Sequence, residues 1–390
     1  MNILMITRAS PITTRAGTEI FVRRLSFEMA KRGHEVHLLY GETTASWEVA
    51  DGTLAPRNVH LHRITYPNIL FFGGLVFSVK LIFFLRHILS NLNFDVVECF
   101  GAPLGYVFPF LGKKTANVYC ALDCMASEYT FRRRTAASVR PALLIKDAVK
   151  YGVLIMFERL ACRRAATIIA ISKDTAREIV ESYRIRSEKV QVVYLPVPMD
   201  FSKDYETIYP ESPVFLHMAT DHLRRGTSFL LESFKSARDK FGLKCKLIIT
   251  GEKEQFYIDL AKEYGLDAEF VGWVTESKLK ELFSACTCLV IPSVREGFCL
   301  PVIEAGMFGK PTIATRSGSL PELVNDGVDG FLVDFDDTTA LARKLWLMSK
   351  DRKLQIKLGE AAKIKAQHFS SSKTAENSLN VFSTLLKTNA

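Results

Sequence analysis

The stretch Arg295 to Ala305 reads REGFCLPVIEA. A strand-like run, CLVIPS, ends just before it, and a short loop then carries Glu296 and Gly297. Pro301 fixes the backbone in the first turn of a helix that contains Glu304. A helix start presents free backbone N–H groups and a positive end, which suits sugar hydroxyls or phosphate oxygens. Glu296 lies in the loop and Glu304 one turn into the helix, so the two carboxylates can meet one ligand at separated points. Each can accept paired hydrogen bonds from vicinal hydroxyls. Taken alone, the same two glutamates read equally well as solvated surface acids.

Three further segments carry residue types suited to an anionic ligand. Gly17, in RAGTE after the first strand, opens an amphipathic helix whose dipole favours negative charge, and Thr18 follows it. An ordinary strand-to-helix turn would look the same. Thr220 to Gly226, TDHLRRG, places Arg224 and Arg225 before another helix, where a fixed guanidinium can neutralise charge building on a leaving diphosphate. Two arginines there also suit a plain solvated surface. In Glu158 to Asp174, ERLACRRAATIIAISKD, Ser172 is either a cleft-edge residue or a helix cap.

These segments resemble the family 4 retaining glycosyltransferases, whose pattern is a Glu, seven residues and a second Glu within EGFGLPxxEAMAxGxPVVA. Here stand Glu296-Gly297-Phe298-Cys299-Leu300-Pro301, Glu304-Ala305, Gly309-Lys310-Pro311, the Ser317–Glu322 loop SGSLPE, and DGVDGFLV from Asp326 to Val333. The resemblance implies the GT-B fold: two Rossmann-like, doubly wound α/β domains facing a central cleft, with a C-terminal helix returning to the first. It implies that Glu296 and the backbone of Gly297, Phe298, Cys299 and Leu300 hold the transferred hexose. Glu304 then holds the ribose, and Gly17, Thr18, Arg224 and Arg225 the diphosphate. No metal or other cofactor is expected, and the nucleotide-diphosphate sugar is the co-substrate. Three positions depart from the pattern: Cys299 replaces a glycine, Thr220 an arginine, and Leu122 a histidine that contacts the sugar. Asp123 is the candidate substitute for that histidine and is counted with Glu296 and Arg225 among the catalytic residues. Asp334 to Asp337, DFDD, superficially resembles a metal motif and is assigned no metal.

Such residues need a scaffold, and strand-length apolar runs alternate with amphipathic helical runs from end to end. That is the pattern of parallel sheets with helical crossovers. A chain of 390 residues exceeds one core. The prolines of Leu195–Asp200, LPVPMD, mark a linker running to about Pro213. The expected acceptor-binding domain is 1–200 with a helix at about 371–390, and the donor-binding domain is 201–370. Strands are expected at Asn2–Ile6, Glu35–Leu39 and Val96–Cys99, and helices at Val76–Ser90 and Tyr151–Arg164.

The formal charge of +9 lies entirely in residues 1–200, which hold 26 Lys and Arg against 17 Asp and Glu; residues 201–390 hold 25 of each. Much of the excess falls within Phe131–Arg164, near the apolar runs Ile69–Leu89 and Phe100–Leu111. Basic beside apolar surface suits an anionic membrane, and no nucleic-acid module is recognised. The same runs also suit core helices. Lys80 at the centre of Ile69–Leu89 disfavours a membrane span. The eight scattered cysteines form no CxxC pair and read as reduced thiols, as in a cytoplasmic protein. The expected acceptor is a lipid-linked sugar or growing glycan at the inner face of the plasma membrane. Thr220 and Leu122 keep open a nucleotide-sugar-binding subunit without turnover, and fold alone keeps open a GT-B epimerase.

Overall fold

The computed structural model describes residues 1–11, 17–43, 55–67, 72–111, 115–136, 142–197 and 207–389. Arg15, Ala16, Ile69, Arg140 and residues 198–206 of the expected linker lie outside the described residues. The chain divides into one unit of residues 1–198 with 371–390 and a second of 199–370.

The first unit holds seven strands: β1 (Asn2–Thr7), β2 (Glu35–Thr43), β3 (Val59–Tyr66), β4 (Val96–Phe100), β5 (Ala116–Ala121), β6 (Thr167–Ala170) and β7 (Val190–Val192). They form one parallel sheet in the order β3-β2-β1-β4-β5-β6-β7. Its helices are α1 (Gly17–Lys31), α2 (Phe72–Asn91), α3 (Met125–Ala136), α4 (Ala142–Arg164) and α5 (Lys173–Tyr183). Central strands such as β1 and β4 are apolar along nearly their whole length because helices cover both faces of the sheet.

The second unit holds β8 (Val214–Ala219), β9 (Lys246–Gly251), β10 (Ala268–Gly272), β11 (Cys288–Ile291), β12 (Thr312–Thr315) and β13 (Gly330–Val333). This sheet is also parallel, in the order β10-β9-β8-β11-β12-β13. Around it lie α6 (Thr227–Phe241), α7 (Gln255–Glu263), α8 (Glu276–Ala285), α9 (Leu300–Met307), α10 (Leu320–Leu323), α11 (Thr338–Lys350) and α12 (Arg352–Ala366). The last helix, α13 (Ser371–Asn389), packs on α1 and β5 of the first unit. The Thr374 hydroxyl donates to the Tyr194 carbonyl at 3.0 Å, and Arg32 to the Ser372 carbonyl at 2.8 Å.

Two helices differ from the sequence expectation. α2 starts at Phe72, before Gly73 and Gly74, because Phe77, Leu81, Leu85 and Ile88 recur at helical spacing and are all buried against the sheet. That stripe outweighs the low propensity of the glycines. α4 starts at Ala142 rather than Tyr151 and runs without interruption to Arg164.

The apolar run Phe100–Leu111 is core rather than surface: residues Ala102–Phe110 form a 3-10 turn in which Leu104, Val107 and Phe108 are buried. A Cβ at Gly105 would stand 2.0 Å from the Phe157 carbonyl oxygen, so α4 can cross this turn only because residue 105 is glycine. Among the described residues, no helix is long and apolar enough to cross a membrane.

In both sheets the strand order reverses beside the first strand of the domain, between β1 and β4 and between β8 and β11. Open parallel sheets bind ligands outside the carboxyl ends of the strands at such a point.

Candidate active site

At the β8/β11 reversal, the loop between β11 and α9 meets the turn between β8 and α6. Val294 N–H donates to the Arg224 carbonyl at 2.9 Å and stitches the two together. Gly226 has φ +67°, and a Cβ on it would lie 2.0 Å from the Pro292 carbonyl oxygen. Only glycine permits this approach. The approach delivers Arg225, at the base of α6, against the loop that carries Glu296.

Arg225 Nη1 donates to Glu296 Oε1 at 2.6 Å, and the Cys299 sulfur accepts from the same nitrogen at 3.4 Å. Arg225 is 8 % exposed, Glu296 2 % and Cys299 0 %. Burial alone would weaken the charged form of Arg225, but the Glu296 carboxylate and Cys299 beside it outweigh this, so its pKa lies above the ordinary range. Burial and the same carboxylate push the Cys299 thiol up to about 12, despite the guanidinium next to it. The thiol is therefore neutral.

Beneath Arg225 runs a buried chain of hydrogen-bonding partners. His217 on β8 approaches the Val290 carbonyl at 3.0 Å and the Thr227 hydroxyl at 3.2 Å. His222 approaches the same hydroxyl at 3.0 Å and the Glu252 carbonyl at 2.9 Å, and its ring stacks on Tyr257. Burial, with a smaller contribution from Arg225, lowers His217 to about 3 and keeps it uncharged. His217 therefore places no positive charge beneath Arg225 to compete for Glu296.

The SGSLPE loop closes on Glu296 from the other side. Ser319 N–H donates to the Glu296 carbonyl at 2.9 Å. Gly318 has φ +55°, and a Cβ there would lie 2.2 Å from the Glu296 oxygen. On and against this loop, Arg225 Nε, Ser293 Oγ and Ser319 Oγ are buried with no hydrogen-bond partner among the described residues. An unmet buried donor or acceptor costs about 1–3 kcal/mol.

Glu304 is buried on α9 at 5 % exposure. Gly297 is buried, and Phe298 and Leu300 are half-buried, with the Phe298 ring 6.0 Å from that of Phe369. Arg224 is half-buried and ties down its own turn, its N–H donating to Asp221 at 3.1 Å.

The structure thus joins Arg225, Glu296 and Cys299, and leaves Arg224 outside that contact. Gly17, Thr18 and Asp123 belong to the other unit. Gly17 begins α1 and is exposed, with Thr18 half-buried, and the Asp123 carboxylate accepts from Cys124 N–H at 2.8 Å. Ser172 caps α5 by accepting from Thr175 N–H at 3.0 Å, and Asp337 caps α11 in the same way.

The chain matches the family model for Glycosyltransferase Family 4 over residues 15–201 and that for Glycosyl transferases group 1 over residues 199–365. It belongs to the family 4 glycosyltransferases. It is 20 % identical to the N-acetyl-alpha-D-glucosaminyl L-malate synthase of Bacillus anthracis, over 89 % of this chain and 88 % of that one. Sucrose-phosphate synthase from Thermosynechococcus elongatus superposes with a TM-score of 0.79 at 18 % identity, covering both chains in full. Anabaena HepE, solved in complex with UDP and glucose, superposes with a TM-score of 0.67 at 18 % identity, over 98 % of this chain and all of that one. The fold is GT-B, with two Rossmann-like domains, and the enzyme transfers a glycosyl group from a nucleotide sugar.

Two parts of this glycosyltransferase's site went unassigned in the sequence. The SGSLPE loop was visible as a motif, yet nothing local says that Gly318 rests on the Glu296 backbone. The His217–Thr227–His222 chain has no motif at all, because its members come together only through the β8–α6 turn.

Proposed function

We propose that the enzyme is a retaining hexosyltransferase whose donor binds at the Arg225–Glu296 contact of the second domain. The buried Arg225–Glu296 pair carries this assignment. Glu296 and the backbone of Gly297 to Leu300 hold the hexose, and Glu304 on α9 holds the ribose. The remaining N–H groups of Arg225, with Arg224, meet the diphosphate in place of a metal ion. In the first domain, the helix start at Gly17 and Thr18 contributes to diphosphate binding, and Asp123 contacts the acceptor sugar.

In this scheme the acceptor hydroxyl attacks the anomeric carbon on the face that the diphosphate leaves. The new C–O bond forms as the bond to phosphate breaks, and the departing phosphate oxygen takes the acceptor proton. Catalysis then rests on positioning and charge stabilisation rather than on a protein nucleophile. Replacing Glu296 with alanine should remove most acceptor-dependent release of nucleotide diphosphate. Near-normal turnover in that variant would refute the assigned sugar contact.

The proposed acceptor is a lipid-linked sugar or growing glycan at the cytoplasmic membrane face, and two helices support this. Val149, Val153 and Met156 recur at helical spacing on α4 and are 66 %, 45 % and 57 % exposed. Arg159, Arg163 and Arg164 are exposed further along the same helix. On α2, Phe83 is 67 % exposed. Apolar side chains flanked by arginines match an anionic bilayer surface. Arg132 and Lys150 contribute less, since Arg132 pairs with Glu128 and both lie over the Tyr151 ring.

A further inference from the structure

The first domain has its own strand-order reversal, between β1 and β4, and a cavity of about 140 Å³ opens there. Arg8, directly after β1, lines it with Pro103, Leu104 and Tyr106 from the turn after β4 and with Phe77 and Ser78 of α2. Gly41, near the end of β2, makes room for the wall. A Cβ there would stand 2.6 Å from the Phe77 ring and 2.7 Å from the Arg8 carbonyl oxygen.

Three kinds of chemistry converge on this space. Arg8 is exposed, and its guanidinium makes no hydrogen bond to another described residue. The Tyr106 hydroxyl is buried beside the Ser78 hydroxyl. Phe77 and Leu104 are buried apolar walls at 4 % and 1 % exposure. No carboxylate is among the described residues that line the cavity. Glu19 is a carboxylate near enough to act on Arg8; it is buried in the first turn of α1, with its pKa raised by burial.

A neutral sugar is normally gripped by carboxylates and amides, which accept from its hydroxyls, and this lining offers neither. A guanidinium, neighbouring hydroxyl donors and an apolar wall are instead the complement of a phosphate on an apolar stem. We propose that this cavity holds the phosphate-bearing end of the acceptor, a phosphate ester joined to an alkyl or isoprenoid-like chain. The proposal rests on the acceptor assignment above and narrows it to one chemical class.

The test uses the full-length protein and calorimetric titration with decyl phosphate, decanol and inorganic phosphate, with UDP titrated in parallel. Decyl phosphate should bind saturably and at least about tenfold more tightly than either half-probe. Arg8→Gln should weaken that binding by about tenfold or more, and Arg8→Lys should restore part of it. Tyr106→Phe should weaken it several-fold while UDP affinity holds, since it deletes a hydroxyl that can donate to the phosphate.

Unchanged decyl phosphate affinity in Arg8→Gln overturns the proposal. Decanol binding as tightly as decyl phosphate overturns it too, as does equal affinity for inorganic phosphate. UDP affinity should be the same in every variant. Failure of the wild type to bind any nucleotide diphosphate would count against the donor assignment and leave the cavity result standing.

Discussion

Arg225 and Glu296 stand 71 positions apart in sequence and 2.6 Å apart in space, joined by a buried charge-assisted hydrogen bond. The family pattern assigns one to the diphosphate and the other to the hexose. The structure makes each the other's partner, so neither can be removed without leaving a buried, uncompensated charge. Breaking such a pair costs about 3–5 kcal/mol. Glu296→Ala should therefore lower both turnover and stability. The double variant Arg225→Ala/Glu296→Ala should be non-additive by about 0.5–3 kcal/mol in a denaturation cycle. Strict additivity would mean that the pair is not energetically coupled.

Gly318 offers a sharper probe of the loop. Gly318→Ala forces a Cβ to 2.2 Å from the Glu296 oxygen, so the backbone that presents Glu296 must move. Gly327 has a similar positive φ, but a Cβ there meets nothing within 4 Å. Gly327→Ala should cost only the left-handed backbone penalty of about 1–2 kcal/mol and spare activity. Gly318→Ala should abolish most turnover. Equal activity in the two variants would show that the SGSLPE loop does not position Glu296.

Cys299 should behave as an inert wall. With its thiol pushed up to about 12, only about one molecule in ten thousand carries a thiolate at pH 8. Iodoacetamide should leave Cys299 unmodified in the folded enzyme, as read by peptide mass spectrometry. Cys299→Gly, which installs the family's usual residue, should keep turnover within a few-fold of wild type. Rapid labelling at Cys299 would contradict this environment.

Glu98 sets a pH dependence in the first domain. It is buried in β4, its Oε2 has no partner, and burial raises its pKa to about 8. Between its ordinary pKa and 8 the folded state holds a proton that the unfolded state has lost. Stability must therefore fall as pH rises through that window, by up to about 1.4 kcal/mol per pH unit. His37 and His217, held down at about 4 and 3 by burial, act at lower pH, where stability falls as pH drops below their ordinary value. Glu158, raised by burial to about 7, contributes in the same sense as Glu98 and stops near neutrality. From pH 7 to 8, then, Glu98→Gln should flatten the decline in thermal midpoint seen in the wild type. An unchanged slope would exclude Glu98 as its source.

The α4 surface is tested by flotation with anionic liposomes at low salt. Wild type should float. Replacing Val149, Val153 and Met156 with aspartate should return the protein to the soluble fraction while UDP binding stays intact. A wild type that never floats would remove the membrane from the proposal.

The sequence alone settled the α/β class and pointed to the linker and the proposed donor loop, because these are written locally. Strand-length apolar runs alternate with helical ones, two prolines interrupt them at the linker, and REGFCLP carries its own turn chemistry. Helix starts were less legible: Gly73 and Gly74 argue against α2 locally, and the buried stripe from Phe77 to Ile88 overrules them. Local sequence left Phe100–Leu111 open between core and surface, because which of the two an apolar run becomes depends on what crosses it. Here α4 crosses it, at Gly105.

Only tertiary structure decided that Arg225 pairs with Glu296, that Gly318 bears on the Glu296 backbone, and that Arg8 and Tyr106 share a cavity. Each is a contact between segments whose separation along the chain carries no periodic signal. They meet because parallel sheets bring the carboxyl ends of distant strands to one edge.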